Sequence, residues 1–154
     1  MPIKTWSEFE TMEPVTVTLT DGYFATAQAG PFKWHADLAD EDIPAVGPNP
    51  EQLLMGALGA CMAQTAKLYA ARKGWQVDAI RIDLSFARFR GEDYPAYDGD
   101  ANFVHEIRES IHIKGDLTLE QEARVREIMT KCPVRRLISN PVFFVESIGE
   151  AASA

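Results

Sequence analysis

The sequence predicts an α+β fold with the element order β-β-β-α-β-β-α-α-β, and three observations predict it. Short, alternating, β-branched segments fill the first part of the chain. One long apolar stretch with helical start and stop signals follows, and two long alternating segments come after it. Strands gathered before and after one helix, instead of alternating with helices, favour α+β over a doubly wound parallel sheet.

Taken in order, residues 1–13 are mixed and polar, with Trp6 and Phe9 as candidate anchors. Val15-Thr-Val-Thr-Leu19 alternates and is β-branched, which predicts a strand. Asp21-Gly22 is a strong hairpin turn signal, so Tyr23 to Ala29 reads as the return strand. Gly30-Pro31 breaks it, and Phe32 to Ala36 alternates as a third strand. Residues 37–48 are acidic and carry Pro44, Gly47 and Pro48, a loop composition. The helix opens with Asn49 as N-cap, Pro50 at the first helical position and Glu51 in the first turn. It is expected to reach Arg72-Lys73 and stop at Gly74. Leu53, Leu54, Ala57, Leu58, Cys61, Met62, Thr65 and Leu68 form a broad stripe, with Gly56, Gly59, Ala60 and Ala63 around it. A helix apolar on most sides is expected to be the buried centre of the fold, with small residues admitting a second helix.

Gln76 to Arg90 predicts a long strand, 91–102 an acidic loop, and Phe103 to Ile113 the returning strand, ending at Lys114-Gly115. Thr118-Leu-Glu-Gln121 is a capping-box pattern that opens a helix running to about Cys132. Pro133 starts a short helical turn to Ser139, Pro141 to Val145 reads as a last strand, and 148–154 as a frayed tail. No internal repeat or linker divides the chain, so 1–154 reads as one domain with a core over about 14–147.

Composition narrows the function classes. A chain of 154 residues can bury about 68–70% of its unfolded surface. Its 46% hydrophobic and 25% charged residues are ordinary globular values. A net charge of −8 argues against a nucleic-acid partner, because neutralising phosphates needs a basic face. Residues 1–10 contain no apolar leader segment and no run of about 18 apolar residues occurs, so a cytoplasmic location without a membrane partner is expected. In a reducing compartment a lasting structural disulfide is disfavoured. Cys61 and Cys132 are then either a catalytic or sensing pair, or two small buried hydrophobes. His35, His105 and His112 have no spacing that joins them to cysteine or glutamate as a zinc set, and residues 98–100 lack the offsets of a calcium loop, so no metal is expected.

Two segments carry a family resemblance. One runs from Gly47-Pro-Asn-Pro-Glu-Gln-Leu-Leu-Met-Gly-Ala-Leu-Gly-Ala-Cys61 on to Tyr69-Ala-Ala-Arg-Lys-Gly-Trp75. The other is Glu120-Gln-Glu-Ala-Arg-Val-Arg-Glu-Ile-Met-Thr-Lys-Cys132-Pro-Val-Arg-Arg-Leu-Ile-Ser-Asn140. Together they resemble the signature regions of the OsmC/Ohr family of osmotically inducible and organic hydroperoxide resistance proteins. The resemblance covers roughly residues 14–147.

The resemblance implies an OsmC-like fold as an intertwined homodimer with buried central helices. It implies a peroxidase that reduces organic hydroperoxides, with hydrogen peroxide a lesser substrate, and that uses neither metal nor flavin. Cys61 matches the family's peroxidatic cysteine, Cys132 its resolving cysteine and Glu51 its active-site glutamate. An external dithiol protein, of lipoyl or thioredoxin type, would be the reductant, and Cys61 and Cys132 are expected close in space. The family's arginine from the N-terminal strands has no counterpart, since no arginine precedes Arg72. Arg135 and Arg136, just after Cys132, are the candidates to hold the thiolate or a peroxide oxygen. Glu51 also fits a plain first-turn role, complementing the helix dipole. A small-ligand binding protein with idle cysteines is therefore the alternative reading.

The homodimer has a second argument. Glu51 and Cys61 are ten residues apart, about 15 Å of helical rise and about 280° of rotation. One helix cannot bring both groups together, whereas two antiparallel copies can.

Overall fold

The computed structural model describes residues 13–146; Trp6, Phe9 and the tail from residue 148 lie outside the described residues. The chain forms two compact units, Met1–Leu54 and Met55–Ala154.

In the first unit, β1 (Thr16–Thr18), β2 (Ala25–Ala29) and β3 (Phe32–Ala36) form an antiparallel sheet in that order. The register runs from Thr16 opposite Gln28 to Ala29 opposite Phe32. Gly22 and Gly30 turn the chain at φ +61° and +52°, the left-handed region that glycine enters without steric cost. The loop after β3 is pinned by Asp37. Its carboxylate accepts the N–H of Leu38 and of Val46, both at 2.9 Å, and its own N–H donates to the Pro48 carbonyl at 3.0 Å.

Helix α1 spans Pro50–Lys73. Asn49 caps it reciprocally: its Oδ1 accepts the Gln52 N–H at 2.8 Å while Gln52 Oε1 accepts the Asn49 N–H at 2.9 Å. Gly74, at φ +70°, ends it, with the Trp75 N–H donating back to the Ala70 carbonyl at 2.9 Å.

In the second unit, α1 lays Leu58, Met62, Ala66 and Ala70 into the core, the four-residue spacing of one helix face. Strands β4 (Gln76–Arg90) and β5 (Phe103–Asp116) make an antiparallel ribbon across it. Ile80 lies opposite Ile113 and Ile82 opposite Ile111, and all four pack on that cluster. Helix α2 (Leu119–Met129) adds Val125 and Met129, and α3 (Pro133–Ser139) follows. The capping box expected at Thr118 and Gln121 is formed in full.

Several expectations need correction. The returning strand does not stop at Lys114-Gly115 but continues to Asp116. A bulge at Asp78 brings the strands so close that a Cβ on Gly115 would lie 2.2 Å from the Gln76 carbonyl oxygen, which glycine alone tolerates. Helix α2 ends at Met129, short of Cys132, because Cys132 caps the next helix. Helix α1 is not buried on most sides: Leu54 and Leu68 are exposed, since the ribbon covers only the Leu58–Ala70 face. Gly59 faces Leu84 of the ribbon. Residues 141–146 form no strand, because no other strand among the described residues pairs with them, and Phe143 and Phe144 are almost fully exposed. No helix among the described residues is long and apolar enough to cross a membrane.

Candidate functional site

The two cysteines come together in the second unit from opposite ends of its sequence. Cys61 lies on α1 one residue before Met62, so it flanks the buried face and is partly exposed. Cys132 is fully buried and is the N-cap of α3. Pro133 can take the first helical position because no N–H is needed there, and the Cys132 sulfur accepts the Arg135 N–H at 3.3 Å. Both cysteines are free thiols, and Cys61 packs against the core cluster that contains Cys132.

Burial pushes the Cys132 thiol above the ordinary thiol range. The Arg135 and Val134 N–H groups pull it down, as a helix N-terminus does, and the Cys61 sulfur pushes it further up. The balance leaves Cys132 protonated near neutral pH.

Arg135 is held from the ribbon. One of its terminal nitrogens donates to both Glu109 carboxylate oxygens, at 2.6 and 2.7 Å. Arg135 is thus beside Cys132 through its backbone and paired with Glu109 through its side chain. Arg136 points outward, and its carbonyl accepts from the Asn140 side chain at 2.6 Å. Glu51 is exposed in the first turn of α1. Leu58 and Met62, on either side of Cys61 in sequence, are core residues, though Leu58 also lines a surface pocket.

Glu109 is the residue that sequence reasoning missed. A signal existed: in the alternation Ile107, Glu109, Ile111, Ile113 it is the one charge at an inward position of β5. A charge at such a position needs a partner. Beside the pair lies a pocket of about 250 Å³, walled by Leu58, Ile107 and Ile138 and headed by Glu109, Arg135 and Ser139. His105, stacked on Phe86 at 5.1 Å, stands at its edge.

Comparison with known proteins identifies the family and the fold. The family model described as OsmC-like protein matches residues 40–147. An OsmC-like protein from Mycoplasma pneumoniae has a similar structure, with a TM-score of 0.69 and 20% identity over 85% of this chain and 89% of that one. The organic hydroperoxide resistance protein OhrB of Bacillus subtilis has a TM-score of 0.56 at 20% identity, over 80% of this chain and 87% of its own. An organic hydroperoxide resistance protein OsmC from Legionella pneumophila has a TM-score of 0.57 at 16% identity, over 81% and 87% of the two chains. No curated protein matches the chain by sequence. With the family model spanning most of its length and the same α+β fold in these structures, the chain belongs to the OsmC-like protein family.

Proposed function

We propose that the protein is a thiol-dependent reductase of organic hydroperoxides, with hydrogen peroxide a lesser substrate. The observation that carries this reading is a partly exposed Cys61 packed against the core cluster that holds the buried Cys132. In the first step the Cys61 thiolate attacks the distal peroxide oxygen. The S–O bond forms, the O–O bond breaks, and the alkoxide leaves as an alcohol after taking a proton. Cys61 becomes a sulfenic acid, oxidised by two electrons. The Cys132 sulfur then attacks the Cys61 sulfur, hydroxide departs as water, and a disulfide remains. An external dithiol, of lipoyl or thioredoxin type, restores both thiols by two exchanges. No metal or flavin takes part.

Glu51 enters from a second copy of the chain. On the helical arithmetic above, α1 cannot bring its own Glu51 to its own Cys61, so the proposed active unit is a homodimer with antiparallel α1 helices about a two-fold axis. The uncovered α1 face, with Leu54 and Leu68 exposed, supports this reading.

The test is peroxide turnover with lipoyl and thioredoxin-type donors. Wild type is expected to turn over and Cys61→Ser to be inactive. Cys132→Ser is expected to consume one equivalent of peroxide and stop. Normal activity in Cys61→Ser would overturn the proposal. Mixing Glu51→Ala with Cys61→Ser subunits is expected to restore about half the activity in mixed dimers, one site carrying both lesions and the other neither. A protein that stays monomeric under light scattering would refute the shared site.

A further inference from the structure

The β1–β2 turn and the loop over 37–46 enclose an apolar pocket of about 460 Å³, and all of its lining residues belong to the first unit. Its walls are Tyr23, Phe24, Leu38, Ile43 and Val46, and its charged groups are the carboxylates of Asp21, Asp37 and Asp40. No lysine, arginine or histidine lines it. The chain's own hydrogen bonds hold the walls in place. The Asp40 N–H donates to the Ile43 carbonyl at 2.9 Å and the Ile43 N–H to the Asp40 carbonyl at 3.2 Å, while the Asp37 carboxylate anchors Val46. Phe24 is stacked on the His35 ring with centroids 4.7 Å apart, and Nδ1 of that ring is hydrogen-bonded to the Thr26 hydroxyl at 3.1 Å.

Asp37 supplies the second observation. It is only 9% exposed, and its carboxylate accepts the Leu38 and Val46 N–H groups without meeting a cation among the described residues. A charge this buried is ordinarily paired with an opposite one, and its field is weakly screened inside the protein. Asp21 and Asp40 add two exposed carboxylates of the same sign to the lining.

We propose that this pocket binds a small amphipathic amine, its ammonium against the aspartates and its alkyl or aryl body against the apolar walls. At about 460 Å³ the pocket falls within the roughly 300–1,000 Å³ of small-molecule sites. Ile43 and Val46 are 66% and 79% exposed, so an apolar body laid over them gains their burial. The faces of the Tyr23 and Phe24 rings also attract a cation. A carboxylate-bearing ligand of the same shape meets three like charges instead. This site stands whether or not the thiols reduce peroxide.

The test uses three ligands of one shape that differ in charge: 4-phenylbutylamine, 4-phenylbutanol and 4-phenylbutanoate. The full chain is titrated with each while the ring resonances of Tyr23 and Phe24 and the methyl resonances of Leu38, Ile43 and Val46 are followed. Wild type is expected to bind the amine, the alcohol about tenfold more weakly, and the carboxylate more weakly still, the scale of one charged hydrogen bond. In Asp21→Asn/Asp40→Asn the amine's advantage over the alcohol is expected to shrink at least about threefold with alcohol binding unchanged, since only the charge is removed. Ile43→Ala is expected to weaken amine and alcohol alike. Equal affinity for amine and alcohol in wild type, or an amine preference that survives the two aspartate changes, would overturn the proposal. So would resonances of Tyr23 and Ile43 that move with protein concentration and not with the amine, because a second copy of the chain would then be the occupant.

Discussion

The Glu109–Arg135 pair should be measurable as a coupling energy. Arg135→Ala leaves a carboxylate on the inward face of β5 without its partner, and Glu109→Ala leaves a guanidinium beside the core. The side chains are 32% and 19% exposed, between the surface and interior cases. Exposed pairs couple by about 0.2–1 kcal/mol, and removing one member of a fully buried pair costs about 3–5 kcal/mol. Each single variant should therefore lose about 1.5–2 kcal/mol, or roughly 3–8 °C in Tm for a chain of this size. The double variant should lose less than the sum of the two, with a coupling of about 1–1.5 kcal/mol. The assay is urea unfolding under reductant, followed by tryptophan fluorescence, at one fixed protein concentration because an oligomer's stability depends on it. The coupling should shrink only in part at 0.5 M NaCl, since a half-hidden pair is weakly screened. A coupling below about 0.3 kcal/mol, or a single variant more stable than wild type, would refute the reasoning.

Further perturbations test other parts of the architecture. Gly115→Ala should cost about 2–3 kcal/mol in urea unfolding, because the new methyl would lie 2.2 Å from the Gln76 carbonyl oxygen and must push backbone aside. Thr118→Ala should cost about 1 kcal/mol and Thr118→Ser should recover most of it, since the Thr118 hydroxyl accepts the Gln121 N–H at 3.2 Å. Because burial raises the Cys132 thiol, the folded chain keeps a proton that the unfolded chain gives up at alkaline pH. Stability is then lost as pH rises from the ordinary thiol range through the raised folded value, and Cys132→Ala should flatten that slope in reduced protein. In a Cys61→Ser background, iodoacetamide should label Cys132 more slowly than an unfolded cysteine, and the rate should climb at higher pH. Labelling as fast as in urea would contradict the burial of this thiol.

Much of the fold was legible because it is written locally. Strand β3 and strand β4 keep the bounds that alternation and glycine breaks suggest, and α1 and α3 begin at their prolines. The Thr118–Gln121 box and the Gly74 stop are each decided within a few residues. The misreadings share one cause. Residues 141–146 have a strand's composition, but a strand exists only where another pairs with it. Glycine weakens strands in general, so Gly115 reads locally as an end; here a bulge on the paired strand makes glycine the residue that lets pairing continue. The small residues of α1 predicted close approach, but not that Gly59 would meet a leucine of the ribbon.

The candidate site divides the same way. The sequence by itself determined the element types, the α+β class and the two motifs that place Cys61 on a long helix and Cys132 before a proline-started one. Those features follow from side-chain periodicity and capping chemistry within a few residues. Only the tertiary structure decided that Cys61 packs against the core cluster that contains Cys132, that Cys132 is sealed from water and raised, and that Arg135 answers to Glu109 across 26 positions of sequence. Each of these depends on the distance between groups that no local rule connects. Burial and Coulomb energies are set by that distance and by the water excluded between the groups.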